Sequence, residues 1–207
     1  MGDPVRTGLV ESLLRSGGNM TGVTYESGTE TWAKRVQLLK EILPDLDRIA
    51  VLKAAPDPNS SYAMASLEPF STRLGVAFVP VDFGSAEDLD SAFAEITRNH
   101  LRAVLVIAGA LTFVNGKRIA DLAVSHRLPT CFGFRETVEV GGLMSLDPDL
   151  AAIGEQGAVI ADKILRGARP ANLPVEQPIR YEVRLNLKTA RALGLAIPFS
   201  LPHAPTT

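Results

Sequence analysis

Cys131, His126 and the pair Gly116-Lys117 are the side chains whose types invite a catalytic reading, and their surroundings do not supply one. A phosphate loop needs a glycine five residues before Gly116 and a Ser or Thr after Lys117; Leu111 and Arg118 stand there. Gly17-Gly18 followed by Gly22 does not make the Gly-x-Gly-x-x-Gly of a dinucleotide site. Cys131 falls inside an apolar run, where a free cysteine behaves as a small hydrophobe. His126, five residues earlier, sits at a helix end, where an imidazole suits the last carbonyls. His100 and His203 fall in a loop and in the tail. No His, Cys and carboxylate set has metal-ligand spacing, and no Gly-x-Ser-x-Gly elbow occurs. The reading is a non-enzyme, with no catalytic residue, metal or cofactor assigned.

Non-covalent recognition is better served. In open α/β sheets ligands lie beyond the carboxyl ends of the strands, where a following helix offers unpaired N–H groups and a partial positive charge. Three segments qualify. In Pro56-Asp57-Pro58-Asn59-Ser60-Ser61, Asn59 and Ser60 either cap a helix or donate to a ligand. In Ala108-Gly109-Ala110-Leu111-Thr112-Phe113, small residues widen the site, Thr112 offers a hydroxyl, and Phe113 either stacks on a ring or joins the core. In Phe132-Gly133-Phe134-Arg135-Glu136, aromatic residues and an arginine suit a ligand with a ring and a carboxylate. The rival reading there is core for Phe132 and Phe134, with Arg135 paired to Glu136 or Glu139.

The elements that position these segments alternate short apolar runs with amphipathic stretches. Strands are expected at 49–52, 76–81, 103–107, 128–132 and 142–146. Helices are expected at 60–74, closed by Gly75, then after the cap Ser85-Ala86-Glu87-Asp88 with Leu89, Phe93 and Ile96 on one face, at 115–126, and at 149–165. Val104-Leu105-Val106-Ile107 is apolar throughout, as in a strand buried on both faces of a parallel sheet. The fold class is therefore α/β, a doubly wound parallel sheet with the expected order 2-1-3-4-5. Residues 4–15 read as a helix, 20–24 as an extended piece, 179–187 as a half-exposed or edge strand and 187–193 as a short helix.

The totals agree with a globular chain. It has 207 residues, 46% of them apolar and 21% charged, and a net charge of −2. That balance does not suit a polyanion partner, so no nucleic acid is expected. No run of about 18 apolar residues occurs, so direct membrane insertion by a helix is not expected. One cysteine forms no internal disulfide and does not identify a compartment.

Gly2-Asp3-Pro4-Val5, Gly17-Gly18-Asn19-Met20-Thr21-Gly22-Val23, Leu38-Leu39-Lys40-Glu41, His126-Arg127-Leu128-Pro129, Gly141-Gly142-Leu143-Met144-Ser145, Pro174-Val175-Glu176-Gln177-Pro178 and Asn186-Leu187-Lys188-Thr189-Ala190 run in one order along nearly the whole chain. Together they resemble the ABC transporter substrate-binding family that includes tryptophan- and tyrosine-type binding proteins. The resemblance implies a type I periplasmic binding fold, with two α/β lobes joined by three crossovers. Residues 25–173 would be lobe two, and residues 1–24 and 174–207 the remnant of a lobe one whose beginning, with an export signal, is missing. It implies capture of a small solute, an aromatic or related amino acid, between the lobes, for delivery to a membrane permease from the periplasm or another extracytoplasmic space. The ligand-binding residues expected are Asn59, Ser60, Thr112, Phe113, Phe132 and Arg135. The sequence departs from the family at Ala54-Ala55, where an Asn-Pro pair is usual, at Asp57, where Asn is usual, and at Leu146-Asp147, where tyrosine–glycine is common. The rivals are the effector domain of a lactose-repressor-like regulator, whose helix-turn-helix is not in this sequence, and a small α/β enzyme.

Overall fold

The computed structural model describes residues 3–26, 28–55, 57–199, 201 and 204–205. Gly2, Pro56 and His203, and Ser200, Pro202, Thr206 and Thr207 of the tail, lie outside them. The chain divides into two units, Met1–Gly28 with Pro148–Glu182 and Thr29–Asp147 with Val183–Thr207, so it passes from one to the other three times.

The sheet, all of which but Pro148, Tyr181 and Glu182 falls in the second unit, has strands β1 (Arg48–Ala54), β2 (Ala77–Phe83), β3 (Val104–Val106), β4 (Thr130–Phe132), β5 (Met144–Pro148), β6 (Tyr181–Leu185) and β7 (Ala204–Pro205), in the order β2-β1-β3-β4-β5-β6-β7. The pairs from β2 to β5 are all parallel, in the order expected from the sequence, with Val51 opposite Pro80 and Leu105, and Phe132 opposite Ser145. β3, β4 and β5 are buried at every position, which explains their unbroken apolar character. β2 is the edge, and Pro80 is tolerated there because an edge strand has N–H groups with no ladder to complete. β6 departs from the expectation that it belongs to a separate remnant. Asn186 N donates to Leu143 O and Asp149 N to Arg180 O, which sets β6 antiparallel beside β5. It is half-buried from Tyr181 to Arg184, as its alternating sequence suggests, and buried at Leu185, with only the two residues of β7 following it in the sheet.

Helices α1 (Glu30–Ile42), α4 (Leu89–Arg98) and α6 (Gly116–Ser125) bury one face each. Trp32, Val36 and Leu39 recur at helical spacing on α1 and are fully buried. Leu89, Phe93 and Ile96 of α4 and Ile119, Ala120 and Ala123 of α6 form one core with Leu52, Val81 and Val104. α4 is led in by a capping box between Ser85 and Asp88. The expected helix over 60–74 is instead α2 (Pro58–Leu67), a 3-10 turn and α3 (Ser71–Leu74). Pro69, which has no N–H to give the ladder, lies at the break. Gly75 closes the segment in the left-handed region, φ 61°. The expected helix at 115–126 is shortened to α6, after a separate five-residue α5 (Ala110–Val114), and α7 (Arg135–Glu139) follows β4.

In the first unit the expected helix over 4–15 is a single turn. Asp3 caps it by accepting from Val5 N and Arg6 N, and Leu9 N and Val10 N both close onto Pro4 O. Gly8, at φ 72°, ends the turn before a second can form. The extended piece at 20–24 has its partner late in the chain. Val23 bridges Glu176 in parallel, Glu176 N donates to Gly22 O, and Thr24 N returns to Glu176 O. The long helix α8 (Leu150–Leu165) is capped by Asp149, and its Gln156 Nε2 donates to Glu176 Oε2 at 3.1 Å. The last helix, α9 (Leu187–Ala192), belongs to the second unit, where Thr189 Oγ1 donates to Gly141 O.

Candidate ligand site

The carboxyl ends of β1, β3, β4 and β5 share one end of the parallel sheet and carry the polar and aromatic side chains nominated from the sequence. After β1, Asp57 is the N-cap of α2 and accepts from Asn59 N at 2.8 Å. The cap is therefore Asp57 rather than Asn59 or Ser60. Asn59 Nδ2 reaches across to Ala108 O at 2.9 Å, tying the end of β1 to that of β3, while its buried Oδ1 has no protein hydrogen bond. A polar atom desolvated in that way is a ready acceptor for a ligand donor. Ser60 is buried, and its hydroxyl donates to Ala54 O at 2.7 Å, fastening the strand end to the helix.

After β3, Gly109 is extended, and a Cβ there would overlap the Asp57 carboxylate. Glycine is needed because this close approach leaves no room for a side chain. Thr112 is buried and donates to Ile107 O at 2.8 Å and Gly109 O at 2.9 Å, so its hydroxyl shapes the turn. Phe113 is 48% exposed and meets Phe134 edge-on, with ring centroids 5.2 Å apart. After β4, Phe132 is 1% exposed and its ring lies in the core with Phe93 and Ile119, so it does not line a site. The core reading wins at Phe132 because its side chain falls on the face of β4 covered by helices. It does not extend to Phe134, which caps α7 and is partly exposed. Arg135 opens α7, and its Nε stands 3.7 Å from Glu136 Oε1. Since α5 and α7 have five residues each, the macrodipole offers little at these two strand ends, and side chains must do the recognition.

One group that the sequence marked only as a departure from the family lies near the carboxyl end of β5. Asp147 is 1% exposed, and Ser145 Oγ donates to its Oδ1 at 2.7 Å. Burial pushes its carboxyl up from 3.8 to about 6; the Ser145 hydrogen bond and the charges of Arg135 and Arg184 pull the other way, and Glu136 adds to the rise. Its signal in the sequence is a charged residue closing an otherwise apolar strand. Cys131 lies beneath, fully buried, and burial pushes its thiol up to about 12. His126 ends α6 with Nδ1 at 2.9 Å from Thr97 Oγ1 and its ring 5.8 Å from that of Phe93. No group of three or more His, Cys, Asp or Glu among the described residues has metal-binding geometry.

The family described as ABC transporter substrate binding protein matches residues 1–206. This chain belongs to that family. A tyrosine-binding protein of Clostridioides difficile is 22% identical over 93% of the chain, and the chain spans 55% of that relative's length. A solved ABC domain from Streptococcus pneumoniae in complex with L-Trp is 26% identical with a TM-score of 0.86, covering 96% of this chain and 66% of its own. A conserved domain protein from Vibrio cholerae is 27% identical with a TM-score of 0.87, over the same shares. Family membership fixes the fold as that of the periplasmic binding proteins and leaves the regulator and small-enzyme readings without support. The family is one of substrate-binding rather than catalytic proteins and is extracytoplasmic in general. No helix among the described residues is long and apolar enough to cross a membrane.

Proposed function

We propose that the protein containing this chain captures a small solute with a ring and a carboxylate, of the aromatic amino acid class, and hands it to the permease of an ABC importer outside the cytoplasm. The second unit acts as the second lobe, and the carboxyl ends of its strands form one wall of the ligand cleft. The first unit is part of the first lobe. The observation that carries the reading is the convergence of Asn59, the Phe113–Phe134 pair and Arg135 at one end of a sheet in a family of substrate-binding proteins. The names of the relatives, tyrosine-binding and bound to L-Trp, support the ligand class. Phe113 and Phe134 present ring faces and edges for an aromatic side chain, and Arg135 supplies a planar donor fork for the carboxylate. Ser60 and Thr112 hold the two loops that place them. The proposed protein turns over nothing: its chemistry is binding and release.

The test is calorimetric titration of L-tyrosine, L-tryptophan and a panel of other amino acids and sugars against the complete gene product and its Arg135→Ala variant. Loss of a charged hydrogen-bond partner is worth about 1.5–3 kcal/mol, so the variant should bind its carboxylate ligand roughly tenfold to a hundredfold more weakly. Equal affinity would make Arg135 a surface residue paired with Glu136, and binding of sugars alone would refute the amino acid class.

A further inference from the structure

We propose that Asp147 selects the ligand by receiving a cationic group, the primary ammonium of an amino acid, so that the cleft discriminates amino acids from the same acids lacking the amine. The inference rests on the reading of this wall as a ligand site. β4 and β5 are in register at Phe132 and Ser145; Phe134 follows the end of β4, and Asp147 lies two residues beyond Ser145 near the end of β5. Arg135 and Glu136, the residues that follow Phe134 in α7, both act electrostatically on the Asp147 carboxylate, which puts it at the same end of the sheet.

The surroundings of Asp147 call for a cation. Its one hydrogen bond among the described residues comes from Ser145, a neutral donor. The charges that act on it are Arg135 and Glu136 from α7 and Arg184 from β6. From α1, Arg35 directs its Nε to the neighbouring Leu146 O at 3.0 Å. Glu136, beside Arg135, offsets part of its charge, and Arg184 acts in the same sense as Arg135, but the hydrogen bond that holds the buried carboxylate comes from a neutral hydroxyl. Buried charges are normally matched by an opposite charge in contact, and an arriving ammonium would supply it. A ligand that is only an anion would gain from Arg135 and be repelled by Asp147. A zwitterion satisfies both, with its carboxylate toward Arg135 and its ammonium toward Asp147.

The experiment uses the complete gene product, its Asp147→Asn variant and the charge-conserving Asp147→Glu. The probes are L-tyrosine and L-tryptophan against 3-(4-hydroxyphenyl)propanoate and indole-3-propanoate, by calorimetry at pH 7.5 and pH 5. The parent should prefer each amino acid over its deaminated partner by tenfold or more. Asp147→Asn should weaken the amino acids by roughly tenfold to a hundredfold and leave the deaminated acids within threefold, while Asp147→Glu restores part of the preference. Amino acid binding should weaken at pH 5 in the parent, as the carboxyl gains a proton, and stay level in Asp147→Asn. If Asp147→Asn binds the amino acids as tightly as the parent, or weakens both probe classes alike, Asp147 has no selective role and the inference falls while the aromatic-ligand reading stands. If the parent binds none of the four probes, that reading falls and takes this inference with it.

Discussion

Replacing Asp147 with asparagine should stabilise the ligand-free chain, and the size of the gain follows from the carboxyl's environment. The folded state raises this group from 3.8 to about 6, chiefly because burial removes water from the charged form. The native chain therefore holds the proton more tightly than the unfolded chain does. Below pH 3.8 both states are protonated and there is no difference. Between 3.8 and about 6 the unfolded state ionises first, so stability falls as pH rises, and above about 6 the full penalty is present. That interval corresponds to about 3 kcal/mol, since one pH unit is worth about 1.4 kcal/mol. Asparagine keeps the acceptor for Ser145 Oγ but introduces two amide hydrogens that need partners, which takes back roughly 1 kcal/mol or more. The net expectation is a gain of about 1–2 kcal/mol at pH 8. At pH 4 the gain vanishes or turns into a small loss. The assay is urea unfolding at pH 4, 6 and 8, followed by the fluorescence of Trp32, the single tryptophan, which is fully buried in the same unit. A difference between parent and variant that is the same at pH 4 and pH 8 would refute the reasoning, because it would show that Asp147 is not ionised at a cost when folded.

Phe132→Ala should destabilise the chain by about 3–5 kcal/mol in the same unfolding assay, since its ring is enclosed by α4, α6 and the sheet; a loss under 1 kcal/mol would return Phe132 to the ligand wall. Cys131 should resist a thiol reagent at pH 8 in the folded chain and react only on unfolding, because burial pushes its thiol up to about 12; prompt labelling without unfolding would contradict its burial.

The strand order and the core were legible because each strand from β3 to β5 is a short apolar run buried on both sides, a pattern that composition alone announces. The site was legible only as a set of places. The rule that ligands gather at strand ends nominated Asn59, Phe113 and Arg135 with the others, but it does not say which way a side chain leaves the strand. Phe132 turned inward, while Phe134, two residues on and outside the last strand position, did not. Ser60 and Thr112 were nominated for their hydroxyls, and each spends its hydroxyl on a backbone carbonyl of its own loop. Asp147 stood out only as a departure from the family and was not nominated for the site, because its burial depends on what packs around β5, which no local pattern carries. The helix expected at 4–15 failed for a local reason, since Gly8, in the left-handed region at φ 72°, stops it after one turn. The partner of residues 20–24 lies at 174–176, beyond the reach of any window-based reading.

That last pairing bears on the order in which the chain folds. Thr21 Oγ1 donates to Pro174 O across 153 residues, and Ser16 Oγ to Pro170 O across 154. Closing so long a loop is entropically unfavourable until the intervening residues have collapsed. The parallel units from β1 to β5 involve shorter separations, so the pairing of residues 16–24 with residues 170–176 is expected to form after them. During synthesis the amino-terminal segment leaves the ribosome before its partner strand exists. Met20, 46% exposed even after pairing, and Val23 are then presented to solvent or to a chaperone for that whole interval. Substitutions in residues 20–24 should therefore act on folding yield before they act on the finished protein.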